Sequence, residues 1–222
     1  MGNHAKTLGL IHTSATLVPI FADLCAQHLP HVETFNIVDD SLIKDVIRRN
    51  ELTEQTASRV GEYVKLAAQA GADHILVTCS SIGRAVEAAQ ANVTIPVLRV
   101  DQPMADNAIR QASHIGVVAT LPTTLEPTAD LVRRRAAVLN REVELTVRLC
   151  EGAFDALMSG DSQTHDSMVA DALAKLINEV DVVLLAQASM ARVVEHLGRQ
   201  DRDVLILASP PAAIEYLKSV LV

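Results

Sequence analysis

Aromatic residues are nearly absent from this chain: 222 residues contain no tryptophan, two tyrosines and three phenylalanines. With 49% hydrophobic content, the core has to be built from Ala, Val, Leu and Ile, which suits helices stacked on parallel sheets. Glycine is also scarce, at nine residues. No G-x-G-x-x-G follows a strand and no G-x-x-x-x-G-K-[ST] occurs, which argues against dinucleotide and P-loop nucleotide sites. H-E-x-x-H, paired C-x-x-C and the nucleophile elbow G-x-S-x-G are missing too. His28, His31 and Glu33 surround Pro30 between a helix and a strand, where a solvated loop outweighs metal ligation. Neither a metal nor a cofactor is expected.

Basic charge is in deficit as well. The net charge is −8, and the one basic cluster, Arg133-Arg134-Arg135, reads as a solvated helix face, so a nucleic-acid partner is not expected. Apolar runs fall far short of a membrane span, and the N-terminus lacks a signal peptide's apolar core. Three cysteines, an odd number without framework spacing, are expected as reduced thiols in a cytoplasmic protein. The length allows one α/β domain or two small lobes.

What the chain does have is strand–turn–helix punctuation. Residues 75–77 form a short apolar run that ends in Thr78-Cys79-Ser80-Ser81, and an amphipathic stretch follows at once. A thiol between a strand's carboxyl end and a helix's amino end meets free N–H groups and the positive helix dipole, which predicts a lowered Cys79 pKa. A buried, inert cysteine is the alternative; the flanking hydroxyls and the repeat described next favour the reactive one.

Further strands are expected at residues 6–11, 31–38, 95–100, 114–119, 142–149, 182–185 and 204–207. Helices are expected at 17–28, in two segments from 40 to 70 broken near Asn50 and stopped at Gly71, from 101, from 130 to 137, from 150, from 166 to 179 and from 209. Phe21-Ala22-Asp23-Leu24 recurs 107 positions later as Thr128-Ala129-Asp130-Leu131, and Gly9 and Pro103 recur at the same offset as Gly116 and Pro210. Cys79 falls opposite Gln187, one position out. The offset predicts two βα lobes of residues 1–107 and 108–222, related by a pseudo-twofold axis, the final helix free to pack back on the first.

Ligands of parallel α/β sheets sit beyond the strands' carboxyl ends, so a cleft between the lobes is the expected active site. It would receive Thr13, Ser14, Cys79, Ser80 and Ser81 from the first lobe, and Thr120, Thr123, Thr124, Cys150, Glu151, Gln187 and Ala188 from the second. Small hydroxyls, amides and helix amino ends around a thiol suit a small carboxylate; simple helix capping uses the same hydroxyls and is compatible with it.

These residues resemble the aspartate/glutamate racemase superfamily, which includes hydantoin racemase, maleate isomerase and arylmalonate decarboxylase. Leu76-Val77-Thr78-Cys79-Ser80-Ser81 is similar to the strand ending in that family's first catalytic cysteine. Residues 115–123 are similar to its second-lobe opening, and Val183-Leu184-Leu185-Ala186-Gln187-Ala188 to the strand that delivers a second cysteine. The resemblance implies a cofactor-independent, often dimeric enzyme acting on a carbon acidified by a carbonyl or carboxylate.

Gln187 breaks the pattern. An amide cannot exchange protons near neutral pH, although it can hydrogen-bond a carboxylate or an enolate. The expected function is a single-thiol isomerase or lyase of a small carboxylic or dicarboxylic acid. Cys79 would be catalytic; Thr13, Ser14, Ser80, Ser81, Thr120, Thr123, Thr124, Gln187 and Ala188 would bind substrate. His12, Cys150 and Glu151 are possible auxiliaries, and each also has a purely structural reading. Two alternatives remain open: a racemase or epimerase whose second base is Cys150 or a noncysteine group, and a catalytically silent carboxylate-binding protein.

Overall fold

The same four-stranded parallel sheet is built twice. In the computed structural model, which describes residues 5–194 and 204–222, β1 (Thr7–His12), β2 (Glu33–Val38), β3 (His74–Val77) and β4 (Val97–Arg99) lie in the order β2-β1-β3-β4. The second set, β5 (His114–Ala119), β6 (Glu144–Leu149), β7 (Val182–Leu185) and β8 (Leu205–Ala208), lies in the order β6-β5-β7-β8. Every pairing is parallel, with Ile11 opposite Val77 in one sheet and Val118 opposite Leu185 in the other. Identical strand order in both is the structural counterpart of the sequence repeat.

Ten helices are described: α1 (Leu17–His28), α2 (Ser41–Arg49), α3 (Glu54–Gln69), α4 (Gly83–Ala89), α5 (Gln102–Gln111), α6 (Pro122–Val138), α7 (Ala153–Met158), α8 (Ser162–Leu176), α9 (Ala191–Val194) and α10 (Ser209–Leu221). Strand side chains alternate between faces, so Ile75 and Val77 join Val46, Val60 and Val64 on one side while Leu76 joins Leu8, Phe21 and Ile214 on the other. Covering both faces is what a parallel sheet requires, and it explains why β3 and β7 read as unbroken apolar runs. Gly71 closes α3 at φ 95°, a conformation that glycine adopts without steric cost. Among the described residues, no helix is long and apolar enough to cross a membrane.

The chain divides into one unit of Met1–Val100 with Pro210–Val222, and a second of Asp101–Ser209. The boundary therefore falls earlier than the expected 107. The helix after each fourth strand decides this: α5 packs on α6, β7 and β8, whereas α10 buries Ala213, Ile214 and Leu217 against Leu8, Leu10 and Phe21. Most expected elements agree with the observed ones to within a few residues. The largest difference is α6, which begins at Pro122 and continues through Pro127 instead of starting near 130. Pro122 occupies the first helical position, where a missing N–H costs nothing, and the burial of Thr123, Leu125, Thr128 and Ala129 offsets the break that Pro127 would otherwise make.

Candidate active site

Cys79 follows β3 directly, but α4 does not begin there. Ser80–Ile82 form a single 3-10 turn, and α4 opens at Gly83, whose N–H donates to the Ser80 carbonyl. The turn aims donors back at the sulfur: the Ser81 and Ile82 N–H groups, the Ser81 hydroxyl and, from the end of β1, the Thr13 hydroxyl. All four favour thiolate. Loss of hydration outweighs them, so the Cys79 thiol lies above its ordinary pKa, opposite to the lowered value that the sequence predicts. The physical reason is that a strand end and one helical turn supply hydrogen bonds but also strip away much of the water that would solvate the charge, although the side chain stays partly exposed.

The second unit repeats the geometry with different chemistry. Thr120, at the end of β5, donates its N–H to Gln187 Oε1 at 2.6 Å and its hydroxyl to the same oxygen at 2.9 Å. A threonine one residue past the first strand thus bonds the residue two past the third strand in both units. With Oε1 engaged, Gln187 has its two Nε2 protons to offer, and it remains partly exposed. Thr123 and Thr124 lie in the first turn of α6 and are buried; among the described residues, Thr123 Oγ1 has no hydrogen-bond partner. Ala188 opens a 3-10 turn, Ala188–Met190, that matches the one after Cys79.

Other candidates lie differently. Ser14 Oγ is engaged with Thr16, 2.7 Å from its hydroxyl and accepting its N–H. Ser80 is buried in the turn. Cys150 is 5% exposed in an apolar cluster with Ala153, Val169 and Leu173, and burial pushes its thiol up to about 11, so it is the packing residue of its two readings. Cys25 is likewise core, also pushed to about 11. Glu151 is exposed in the turn before α7.

His12 is fully buried and held by side chains rather than by backbone. Its Nδ1 lies 2.8 Å from Thr78 Oγ1 and its Nε2 2.9 Å from Asn36 Oδ1. Because Asn36 Oδ1 only accepts, Nε2 carries a ring proton; the single Thr78 hydroxyl proton is shared between Nδ1 and the Ile11 carbonyl, 3.2 Å away. Burial lowers the His12 pKa, opposed by the Asn36 bond, which keeps the ring neutral. Thr78, Asn36 and the buried Arg99 escape a reading of the sequence. Each sits in a strand or at its end, where a polar residue is ordinarily taken for a solvated edge.

Comparison with known proteins identifies the lineage. A profile of the Asp/Glu/Hydantoin racemase family matches residues 8–217. The chain belongs to that family. It is an isomerase of the Asp/Glu racemase type. It is 24% identical over 183 residues to a glutamate racemase of Streptococcus gordonii, covering 81% of this chain and 67% of that protein. Among solved structures, a glutamate racemase from Bacillus anthracis superposes with a TM-score of 0.72 at 20% identity, covering 99% of this chain and 82% of that one. A putative Asp/Glu racemase from Yersinia pestis gives 0.76 at 15% identity, covering 97% and 99%.

Proposed function

We propose that this family member works through one thiol, Cys79, on a small carboxylic or dicarboxylic acid, without a cofactor. The observation that carries this reading is the asymmetry of two equivalent threonine pairs: Thr13 with a sulfur, Thr120 with an amide. A sulfur exchanges protons and an amide does not, so acid–base work belongs to Cys79 and Gln187 serves as a neutral donor. The Nε2 protons of Gln187, the Thr123 hydroxyl and the Thr123 N–H are donors suited to a carboxylate or to charge developing on an enediolate; Pro122 has no N–H, and those of Thr124 and Leu125 are taken by the Leu121 carbonyl.

Burial keeps Cys79 protonated at neutral pH, so its resting form is a proton donor. In the donating direction, the S–H proton passes to the α-carbon of an enediolate, leaving a thiolate that Thr13, Ser81 and Ile82 stabilise until it is reprotonated from solvent. In the reverse direction the thiolate takes the α-proton and the electron pair moves into the carboxylate. The sign of the pH dependence separates them. A thiol acid holds its kcat/KM up to the raised pKa and loses it above, whereas a thiolate base gains activity across the same range.

The test is a panel of substituted malonates, maleate, and D- and L-amino and hydroxy acids incubated in D₂O and read by NMR. Turnover of at least one acid that disappears in Cys79→Ala supports the reading. Full turnover in Cys79→Ala overturns it, as would ligand binding without turnover by wild type across the whole panel.

A further inference from the structure

At the strand ends, the two units differ systematically. Aligned by pairing register, His12 and Thr78 of the first unit stand where the second has Ala119 and Ala186; Asn36, opposite Leu10, stands where Val147 lies opposite Val117. Arg99, opposite Val77, stands where Ala208 lies opposite Leu185. The first helical residue after the 3-10 turn is Gly83 in one unit and Ala191 in the other. Four polar side chains in the thiol-bearing unit thus correspond to three alanines and a valine in the other. Three of the four, His12, Thr78 and Arg99, are buried, while Asn36 is exposed; buried polar groups cost folding free energy even when paired, and the second unit forms the same topology without them. The fold does not require them.

Arg99 is the most expensive of the four. Its side chain is 1% exposed, and its Nη1 donates to Glu87 Oε1 at 2.5 Å. The guanidinium sits against Gly83: a Cβ there would come within 2.7 Å of Nε and closer still to Cζ. Only glycine leaves that space, and the exchange of Gly83 and Arg99 for Ala191 and Ala208 is matched at both positions. Gly83 is also the residue whose N–H closes the 3-10 turn on Ser80.

We propose that Arg99 is a positioning residue: seated on Gly83 and ion-paired with Glu87, it fixes the turn that aims the Ser81 and Ile82 N–H groups at the Cys79 sulfur. A guanidinium is suited to this, being planar, permanently charged and able to hold several acceptors in a fixed fork. The consequence for catalysis rests on Cys79 being the working thiol; the positioning itself does not, and it can be read chemically.

The experiment measures iodoacetamide alkylation of Cys79 against pH by peptide mass mapping, which separates it from the core thiols Cys25 and Cys150, in intact protein. Two variants are compared with wild type. Gly83→Ala keeps every polar group but evicts the guanidinium; Gly83→Ala/Arg99→Ala recreates the alanine pair with which the second unit already folds. With the N–H donors misaligned, the alkylation midpoint is expected to rise and the rate at a fixed pH near neutrality to fall by roughly 3–10-fold in both variants. On a substrate turned over by wild type, kcat should fall with KM little changed, since the donors act on the sulfur. A wild-type alkylation profile in the double variant overturns the proposal and makes Arg99 a packing residue. Should the double variant not fold, a wild-type profile in Gly83→Ala overturns it equally. Were Cys79 not the working thiol, kcat would be untouched by Cys79→Ala while the alkylation shift persisted, so the two failures are distinguishable.

Discussion

Thr13 and Thr120 hold equivalent places and make equivalent bonds, one to a sulfur and the other to an amide oxygen. Duplication preserved the framework at these positions, including strand order, the threonine after the first strand and the 3-10 turn after the third. The side chains that those threonines bond were not preserved. The comparison teaches that hydrogen-bond geometry and proton chemistry separate cleanly: equivalent hydroxyls bond a titratable sulfur in one unit and an amide oxygen without acid–base chemistry in the other. It also assigns an order of importance to substitutions.

The largest effect belongs to Cys79. Replacing it with alanine removes the acid–base group and should lower turnover by roughly 10²–10⁴-fold. Next is Gln187→Ala, which keeps the thiol and deletes one neutral donor; a loss of about 3 kcal/mol of transition-state stabilisation, or roughly 10²-fold in kcat, is expected, with Cys79 alkylation unchanged. If Gln187→Ala were as damaging as Cys79→Ala, the division of labour between the units would fail. Steady-state kinetics on one active substrate reads both.

A third test compares the frameworks alone. Gly9 and Gly116 are equivalent, but a Cβ at Gly9 meets Phe35 Cζ at 3.1 Å, whereas at Gly116 it meets Leu176 Cδ2 at 2.9 Å and Val180 Cγ2 at 3.1 Å. Both alanine variants should lose stability, Gly116→Ala by about 1–3 kcal/mol and Gly9→Ala by less, in denaturant unfolding. Equal losses would mean that both cores yield alike.

The smallest effect is a pH dependence specific to the thiol-bearing unit. His12 has a lowered pKa, so the folded state binds its proton less readily than the unfolded one, and its share of stability is present above the unfolded value and lost as pH falls through the folded one. His74 shifts in the same direction through burial. The second unit has alanine in place of His12. The stability gap between wild type and His12→Ala should therefore narrow from pH 7.5 towards pH 5.5, where most carboxylates remain charged. A gap that widened on acidification would contradict the neutral ring that burial of His12 favours.

Much of this was legible in the residues themselves. The 107-residue offset, the apolar runs of β3 and β7, and Gln187 within one position of the place opposite Cys79 needed no coordinates, because short buried strands and regular spacing leave marks in one dimension. The sign of the Cys79 shift did not, since it depends on how completely the surrounding atoms exclude water, against which four donors had to be weighed. The start of α6 was obscured by Pro127, which tertiary burial overrides. Arg99 was hidden for a similar reason: an arginine ending a strand looks solvated until the glycine beneath it and Glu87 beside it are seen.

The central claim is that proton traffic runs through one thiol and hence over one face of the substrate. Following deuterium from D₂O into the α-carbon of an accepted acid, resolved by configuration on a chiral phase, reads this most directly. The account predicts label in a single configuration, absent in Cys79→Ala; label entering both configurations at equal rates would require a second acid–base group and would contradict it.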